Sequence, residues 1–204
     1  MPAHVATKTH ASVRLPRAQR REQIVRAAAT AFLTGGYDKT SMEDVARAAG
    51  VTRLIVYRIF ESKDALYLAV LSSVLDDLAV SFESRDRVAD PEHREAVAAI
   101  LLRVARRQPD AFRLLWRHTS NQAAFHDLYS QFQESAADYA VGLIADVLPD
   151  PMILRWAADS LVSNIYESIC LWLDRGDRKR DEQFLQLLAA GIRATVTAWV
   201  DVAG

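Results

Sequence analysis

From residue 17 onward, apolar side chains recur every three or four positions, and the recurrence breaks at glycine, proline and hydroxyl residues. That spacing lines one face of an α-helix. Ile24, Ala27, Ala28, Ala31 and Phe32 form the first such stripe. Gly35-Gly36 closes it, because glycine accepts the left-handed backbone of a helix C-terminus. A second helix opens at Thr40-Ser41, where Thr40-Ser41-Met42-Glu43 fits a capping box with Glu43 reaching back. Its stripe is Met42, Val45, Ala46 and Ala49, and Gly50-Val51 is the turn after it. Thr52 is a good N-cap for a third helix running to Phe60. Ser62 caps a fourth, which continues through Leu66, Ala69, Val70 and Val74 towards Phe82.

Five more helices are predicted. Asp90-Pro91 starts the fifth, which reaches about residue 107. Gln108-Pro109-Asp110 breaks the chain before a sixth over 111–118, and a seventh covers about 122–147. Pro149-Asp150-Pro151 precedes an eighth over 152–174, and a ninth covers 181–202. No stretch alternates as a strand would. The expected fold is all-α with nine helices. Residues 1–16 are expected to be a flexible basic tail, 17–64 a small three-helix domain, and 65–204 a larger helical domain.

Composition narrows this picture. Half of the 204 residues are hydrophobic and a quarter are charged, as in a globular chain. The net charge of −1 hides an asymmetry. Residues 1–63 carry 11 Lys/Arg against 5 Asp/Glu, and residues 64–204 carry 14 against 21. A basic first part on an acidic remainder implies that only the first part meets a polyanion. The lone cysteine, Cys170, excludes an internal disulfide and a cysteine-based zinc finger. No apolar run of membrane-spanning length and no secretory signal is read, so the expected location is cytoplasmic, without a membrane partner. No metal or cofactor site is expected. No H-E-x-x-H, P-loop or nucleophile elbow is present, and an enzyme is the least favoured reading.

Residues 40–66 therefore stand out. Two short helices joined by a tight turn, apolar on one face and carrying hydroxyls, arginines and a tyrosine on the other, form a helix-turn-helix suited to the major groove of DNA. The pattern Thr40-Ser41, Val45-Ala46, Ala49-Gly50-Val51, Tyr57, Phe60, Ser62-Lys63 and Leu66 resembles the N-terminal domain of TetR-family transcriptional regulators. The resemblance covers roughly residues 20–66. It implies a homodimeric repressor on a palindromic operator in double-stranded DNA, released when a small effector binds the larger domain. It also implies phosphate contacts from Thr40, Tyr57 and Lys63.

Beside the resemblance, the residues speak for themselves. Thr40 and Thr52 stand at helix N-termini, which favour phosphate. Arg53, in the first turn of the third helix, is the best base reader, because a guanidinium pairs in bidentate fashion with guanine. Arg58 faces either phosphate or a base edge. Leu54 and Ile55 either touch thymine methyl groups or extend the core. Leu54, Ile55 and Ile59 depart from the smaller, polar or aromatic residues of many relatives, so base contacts cannot be copied to them. Val45, Ala49, Val51, Val56 and Phe60 are assigned to the core.

For the effector, Phe112, Trp116, Phe125, Tyr129, Phe132, Tyr139, Trp156, Tyr166 and Trp172 are aromatic candidates, most of them expected in the core. The candidate ligand set is Phe112, Trp116, Arg117, Asn121, Tyr129, Trp156, Ser160, Asn164, Tyr166 and Glu167, an apolar pocket with a few polar anchors. Leu161, Ile165, Leu173, Leu185, Leu188, Ile192, Val196 and Trp199 on the last two helices serve either a dimer interface or their own subunit's core. The alternative function is a helical DNA-binding dimer without small-molecule control. Repression and activation both remain open.

Overall fold

The computed structural model describes residues 15–83 and 91–203, without the side chains of residues 83, 91–96, 121 and 203. Residues 1–14 of the expected basic tail and the expected cap Asp90 lie outside the described residues. Among the described residues there are nine α-helices and no strand. They are α1 (Arg17–Gly35), α2 (Met42–Ala48), α3 (Arg53–Ile59), α4 (Lys63–Glu83), α5 (Pro91–Arg107), α6 (Pro109–Arg113), α7 (His126–Ile144), α8 (Pro151–Arg175) and α9 (Asp181–Ala203).

The first three helices are joined by specific local devices. Gly36 takes φ 77° beyond the end of α1, and its N–H bonds to Phe32 O. A methyl group at Gly35 would lie 2.7 Å from Thr40 Oγ1, so the connection needs a glycine there. The capping box of α2 is one residue later than the sequence pattern suggests. Ser41 Oγ accepts from Asp44 N at 3.1 Å, and the Asp44 carboxylate accepts from Ser41 N at 3.0 Å. Thr40 instead turns inward and donates to Gly36 O at 2.7 Å, while Glu43 stays exposed. Two adjacent hydroxyls and two adjacent acids made the register ambiguous, and the burial of Thr40 decides it. After α2, Gly50 takes φ 64°, and the bonds Gly50 N to Arg47 O and Val51 N to Ala46 O form a Schellman turn. Thr52 stands at the N-cap of α3, but its hydroxyl makes no cap bond. Ser62 Oγ accepts from Ala65 N and starts α4 as expected.

The α4 segment from Lys63 to Phe82 is long and apolar enough to match a membrane span in length and composition, contrary to the sequence expectation. Its Leu66, Tyr67, Val70, Leu71 and Val74 are buried inside the protein, and it packs on α1, α5 and α6. One continuous core runs from Ile24, Phe32 and Val45 through these residues to Phe112, Tyr166 and Cys170. A smaller cluster of Ile144, Leu148, Ala158, Leu161 and Val196 ties α7 to α8 and α9.

The expected sixth helix is shorter and less regular. After α6, Leu114–His118 is π-helical, Thr119–Asn121 and Ala123–Phe125 are 3₁₀ turns, and α7 starts only at His126. Thr119 explains the widened turn. It is fully buried, and its hydroxyl donates five residues back to Leu114 O at 2.9 Å. That bond spans the same five residues as a π turn.

If Ser41 is the true cap, Ser41→Ala costs about 1 kcal/mol of folding stability. Glu43→Ala is then close to neutral. Urea unfolding of both variants checks this, and the reverse order would restore the earlier register.

Candidate functional site

Helix α3 rests on the small domain through Val56, which is fully buried, and through half-buried Ile55 and Ile59. Ile55 therefore belongs with the core. The outward face carries Arg53, Leu54, Tyr57 and Arg58, with Leu54 61% and Tyr57 41% exposed. The Arg53 guanidinium sits 5.1 Å from the Tyr57 ring centroid and donates to the Tyr57 hydroxyl at 3.4 Å. This cation–π contact holds two flexible side chains in one orientation. Arg58 is exposed and makes no ion pair among the described residues. Thr52 is exposed beside them.

Two expected phosphate contacts have other duties. Thr40 is 5% exposed, and its only O–H is spent on the α1 carbonyls, so its hydroxyl faces the domain interior. Ser41 is the exposed hydroxyl of the pair. Lys63 Nζ donates to Tyr37 O at 3.0 Å and Asp38 O at 3.4 Å, and lies 4.3 Å over the Tyr37 ring. One of its three N–H groups is left for an outside partner. Arg47, on α2, pairs with Asp44 at 3.0 Å.

Behind α3, the small domain is bound to the rest by an aromatic cluster. Tyr67 of α4 packs against Phe32 at 5.1 Å, Tyr37 at 5.0 Å and Phe125 at 4.7 Å. Its hydroxyl meets Thr119 Oγ1 at 3.4 Å, and burial raises its pKa. The Tyr37 hydroxyl donates to Asp64, and burial together with that carboxylate raises its pKa. Thr30 of α1 donates to Asp110 of α6 at 2.6 Å. The end of α6 and the π turn thus touch both α1 and α4.

On the far side of that turn lies a cavity of about 730 Å³. Leu75, Leu78 and Phe82 of α4, Leu101 of α5, Phe132, Tyr139 and Leu143 of α7, Val162 and Tyr166 of α8, and Ile192 of α9 line it. Of the ten ligand candidates, Tyr166 alone is in the wall. Phe112 and Trp116 stack behind it at 5.5 and 5.0 Å. Tyr129 is buried and bonds to Trp116 O and Gln133. Arg117 and Glu167 pair with each other. Ser160 is half-buried outside the wall, Asn164 is exposed, and Trp156 is 54% exposed against Trp199. The Asn121 side chain lies outside the described residues. Phe132 and Tyr139 were among the aromatic candidates, whereas Gln131, Ser135, Arg193 and Thr197 at the rim were not. The three-to-four spacing of Leu128, Phe132, Ser135 and Tyr139 was the signal for that face of α7.

On α8 and α9 several of the residues left open between a dimer interface and the subunit's own core lie inside the chain. Leu161, Leu188 and Val196 are buried within the chain, and Leu161, Ile165, Ile192 and Val196 line the cavity. The apolar side chains left outside on these helices include Met152, Trp156, Leu171, Leu187 and Val202. A helix in a bundle buries its widest stripe first, so residues on a neighbouring stripe remain for any partner.

Charge is concentrated on the outer side of Trp116. Arg117 bonds to Glu167 at 2.6 Å and to Asp174 at 2.7 Å, Arg113 bonds to Asp174 at 2.7 Å, and Trp116 Nε1 donates to Glu167. The Arg117 bond holds Glu167 below its ordinary range. Burial pushes Asp174 up, but bonds from Arg117 and Arg113 outweigh it and hold it low. Cys170, beneath this network, is fully buried, and burial pushes its thiol up to about 12.

Comparison with known proteins fits this geometry. The profile described as "Bacterial regulatory proteins, tetR family" matches residues 24–70. The HTH-type transcriptional activator FasR of Mycolicibacterium smegmatis is 37% identical over 87 residues, 43% of this chain and 40% of FasR. The HTH-type transcriptional regulator TtgR of Pseudomonas putida is 43% identical over 74 residues, 35% of each chain. The matched segment thus spans well under half the length of these relatives. A TetR-like transcriptional regulator from Rhodococcus sp. RHA1 superposes with TM-score 0.73 at 21% identity, over 94% of this chain and 100% of that one. AibR, solved with isovaleryl coenzyme A and operator DNA, superposes with TM-score 0.65 at 18% identity, over 85% of this chain and 97% of that one. The small domain is a helix-turn-helix DNA-binding unit. Over residues 24–70 the chain is thus similar to the TetR family, and its fold resembles that of TetR-like structures.

The acid pair gives a pH dependence. Both folded pKa values lie below their ordinary values of 4.5 and 3.8. Their stabilisation is therefore fully present above about pH 4.5 and fades as pH falls through the lowered values. The loss of urea stability between about pH 4.5 and pH 3 should be shallower in Glu167→Gln than in the parent chain. Equal slopes would remove Glu167 from the acid response.

Proposed function

We propose that this chain is a homodimeric transcription regulator that reads a palindromic site on double-stranded DNA with α3. A small, mostly apolar effector in the cavity releases it. The observation that carries the reading is the outward face of α3. Arg53, braced by Tyr57, offers a fork of donors to a guanine edge, Arg58 offers a charge to phosphate or a base edge, and Leu54 offers methyl groups to thymine. Lys63 and the exposed Thr52 flank this face.

Effector control is supported by continuity between the cavity and the small domain. Tyr166 stacks on Trp116, and the π turn carrying Trp116 ends at Thr119, which bonds Tyr67. AibR was solved with both isovaleryl coenzyme A and operator DNA, and a coupling between the two kinds of site is proposed for this chain. A second copy is proposed to pack on the outer faces of α8 and α9, where Trp156 and Leu187 are exposed. Two-fold symmetry then calls for half-sites at least about one helical turn apart. Repression is the first reading. Activation is the second, because FasR is named an activator. A reporter gene placed behind the selected DNA site separates them.

Arg53→Ala should cut the preference for the selected site over scrambled DNA by about tenfold, the value of one bidentate base contact. Loss of equal size on all sequences removes Arg53 as a base reader. Light scattering at micromolar concentration should give the mass of a dimer, and Trp156→Glu should shift it towards monomer. A monomeric parent chain ends the homodimer reading. If no molecule that fills the cavity changes DNA affinity, the dimer without small-molecule control replaces this proposal.

A further inference from the structure

Tyr166 is a buried residue of the cavity wall whose hydroxyl has no hydrogen-bond partner among the described residues. The residue is 5% exposed. Phe112 and Trp116 both stack on the ring, and Phe132 meets it edge-on at 5.4 Å. Its ring is therefore fixed. Its hydroxyl makes no hydrogen bond to any described residue. Among the described residues no fully enclosed side-chain nitrogen or oxygen lacks a partner, so this hydroxyl opens onto the cavity it lines.

The surroundings define what could satisfy it. The rest of the wall is mainly leucine, isoleucine, valine, alanine and aromatic carbon. The polar residues Gln131, Ser135, Arg193 and Thr197 are exposed and stand at the rim. Tyr139 and Arg193 already have interactions of their own. Arg113 and Arg117 are held by Asp174 and Glu167 and do not line the cavity. A carboxylate or phosphate at the inner end would thus lose its hydration and meet no described cation. A neutral oxygen loses far less. Burial raises the phenol above its ordinary value of 10.0, so at neutral pH the group is a donor in search of an acceptor.

We infer that Tyr166 is the hydrogen-bond anchor of the cavity, and that its ligand is a neutral, mostly aliphatic molecule carrying a carbonyl or comparable oxygen acceptor at its inner end. This rests on reading the cavity as the effector site. The anchor also explains how the coupling begins. A ligand bonded to Tyr166 fixes the ring that Phe112 of α6 and Trp116 lean on, and Trp116 belongs to the turn that reaches Tyr67.

Displacement of the neutral fluorophore N-phenyl-1-naphthylamine from the full-length chain tests this with three probes of equal chain length: undecane, 2-undecanone and undecanoate. The ketone preference, taken as the ketone-to-alkane affinity ratio corrected for each molecule's partition from water into hydrocarbon, should be roughly five- to tenfold in the parent chain, as one net hydrogen bond allows. The carboxylate should bind more weakly than the ketone at pH 7. Tyr166→Phe should erase the ketone preference while leaving alkane affinity unchanged, which also shows that the variant is folded. An undiminished ketone preference in Tyr166→Phe, or undecanoate binding more tightly than the ketone, overturns the anchor. If the ketone binds through Tyr166 but leaves DNA affinity unchanged, the anchor stands and effector control fails. If no probe displaces the fluorophore and none binds by calorimetry, both fail.

Discussion

Helix α4 has to satisfy two neighbourhoods with one face pattern. Its first turns complete the core of the small domain, where Leu66 and Tyr67 meet Phe32 and Tyr37, and its later turns wall the cavity with Leu75, Leu78 and Phe82. Burial of its widest stripe removes much of this apolar helix from water, while Leu68 and Val80 stay exposed. The constraint propagates outward. Because Tyr67 is enclosed, its hydroxyl needs a partner, and Thr119 supplies it. Because Thr119 must reach inward, the chain widens into a π turn and α6 ends early. The irregular connection between α6 and α7 is thus a consequence of a polar group buried in the middle of the molecule.

The same logic shows what the sequence made legible. Glycines at residues 36 and 50, the cap at Ser62 and the stripes of α1 and α2 are local signals, and each acts where its spacing says. The helix-turn-helix was readable for that reason, whereas the exposure of Leu54 and the half-burial of Ile55 were left open by the sequence. What failed was tertiary. Thr40 and Ser41 are chemically alike, and only the packing of α2 on α1 buries the first and exposes the second. Most of the ligand candidates, Tyr166 excepted, likewise lie off the cavity wall. Trp116, Arg117 and Glu167 look like polar anchors in sequence, but they bond to one another across α8. On α8 and α9 two apolar stripes run side by side, and periodicity alone does not say which one faces home.

Electrostatics divides the molecule in keeping with this plan. The α3 face keeps its cations exposed or lightly held against an aromatic ring, which leaves them available to a polyanion. In the larger domain several arginines are held by carboxylates. Arg106 pairs with Asp181, Arg107 with Asp77, and Arg113 and Arg117 with Asp174. Positive charge used for holding helices together is therefore separated from positive charge used for contact, and the cavity between them is left almost without charge.

Cys170 gives the molecule an experimental asymmetry. It is the chain's single thiol, it is enclosed, and its high pKa leaves almost no thiolate at neutral pH. Thiolate is the form that reacts with alkylating reagents. A cysteine introduced at an exposed position of α3 would then take a spectroscopic label alone, with the native thiol left in place. In the proposed dimer, the separation of the two α3 helices becomes a distance that one substitution per subunit is enough to report.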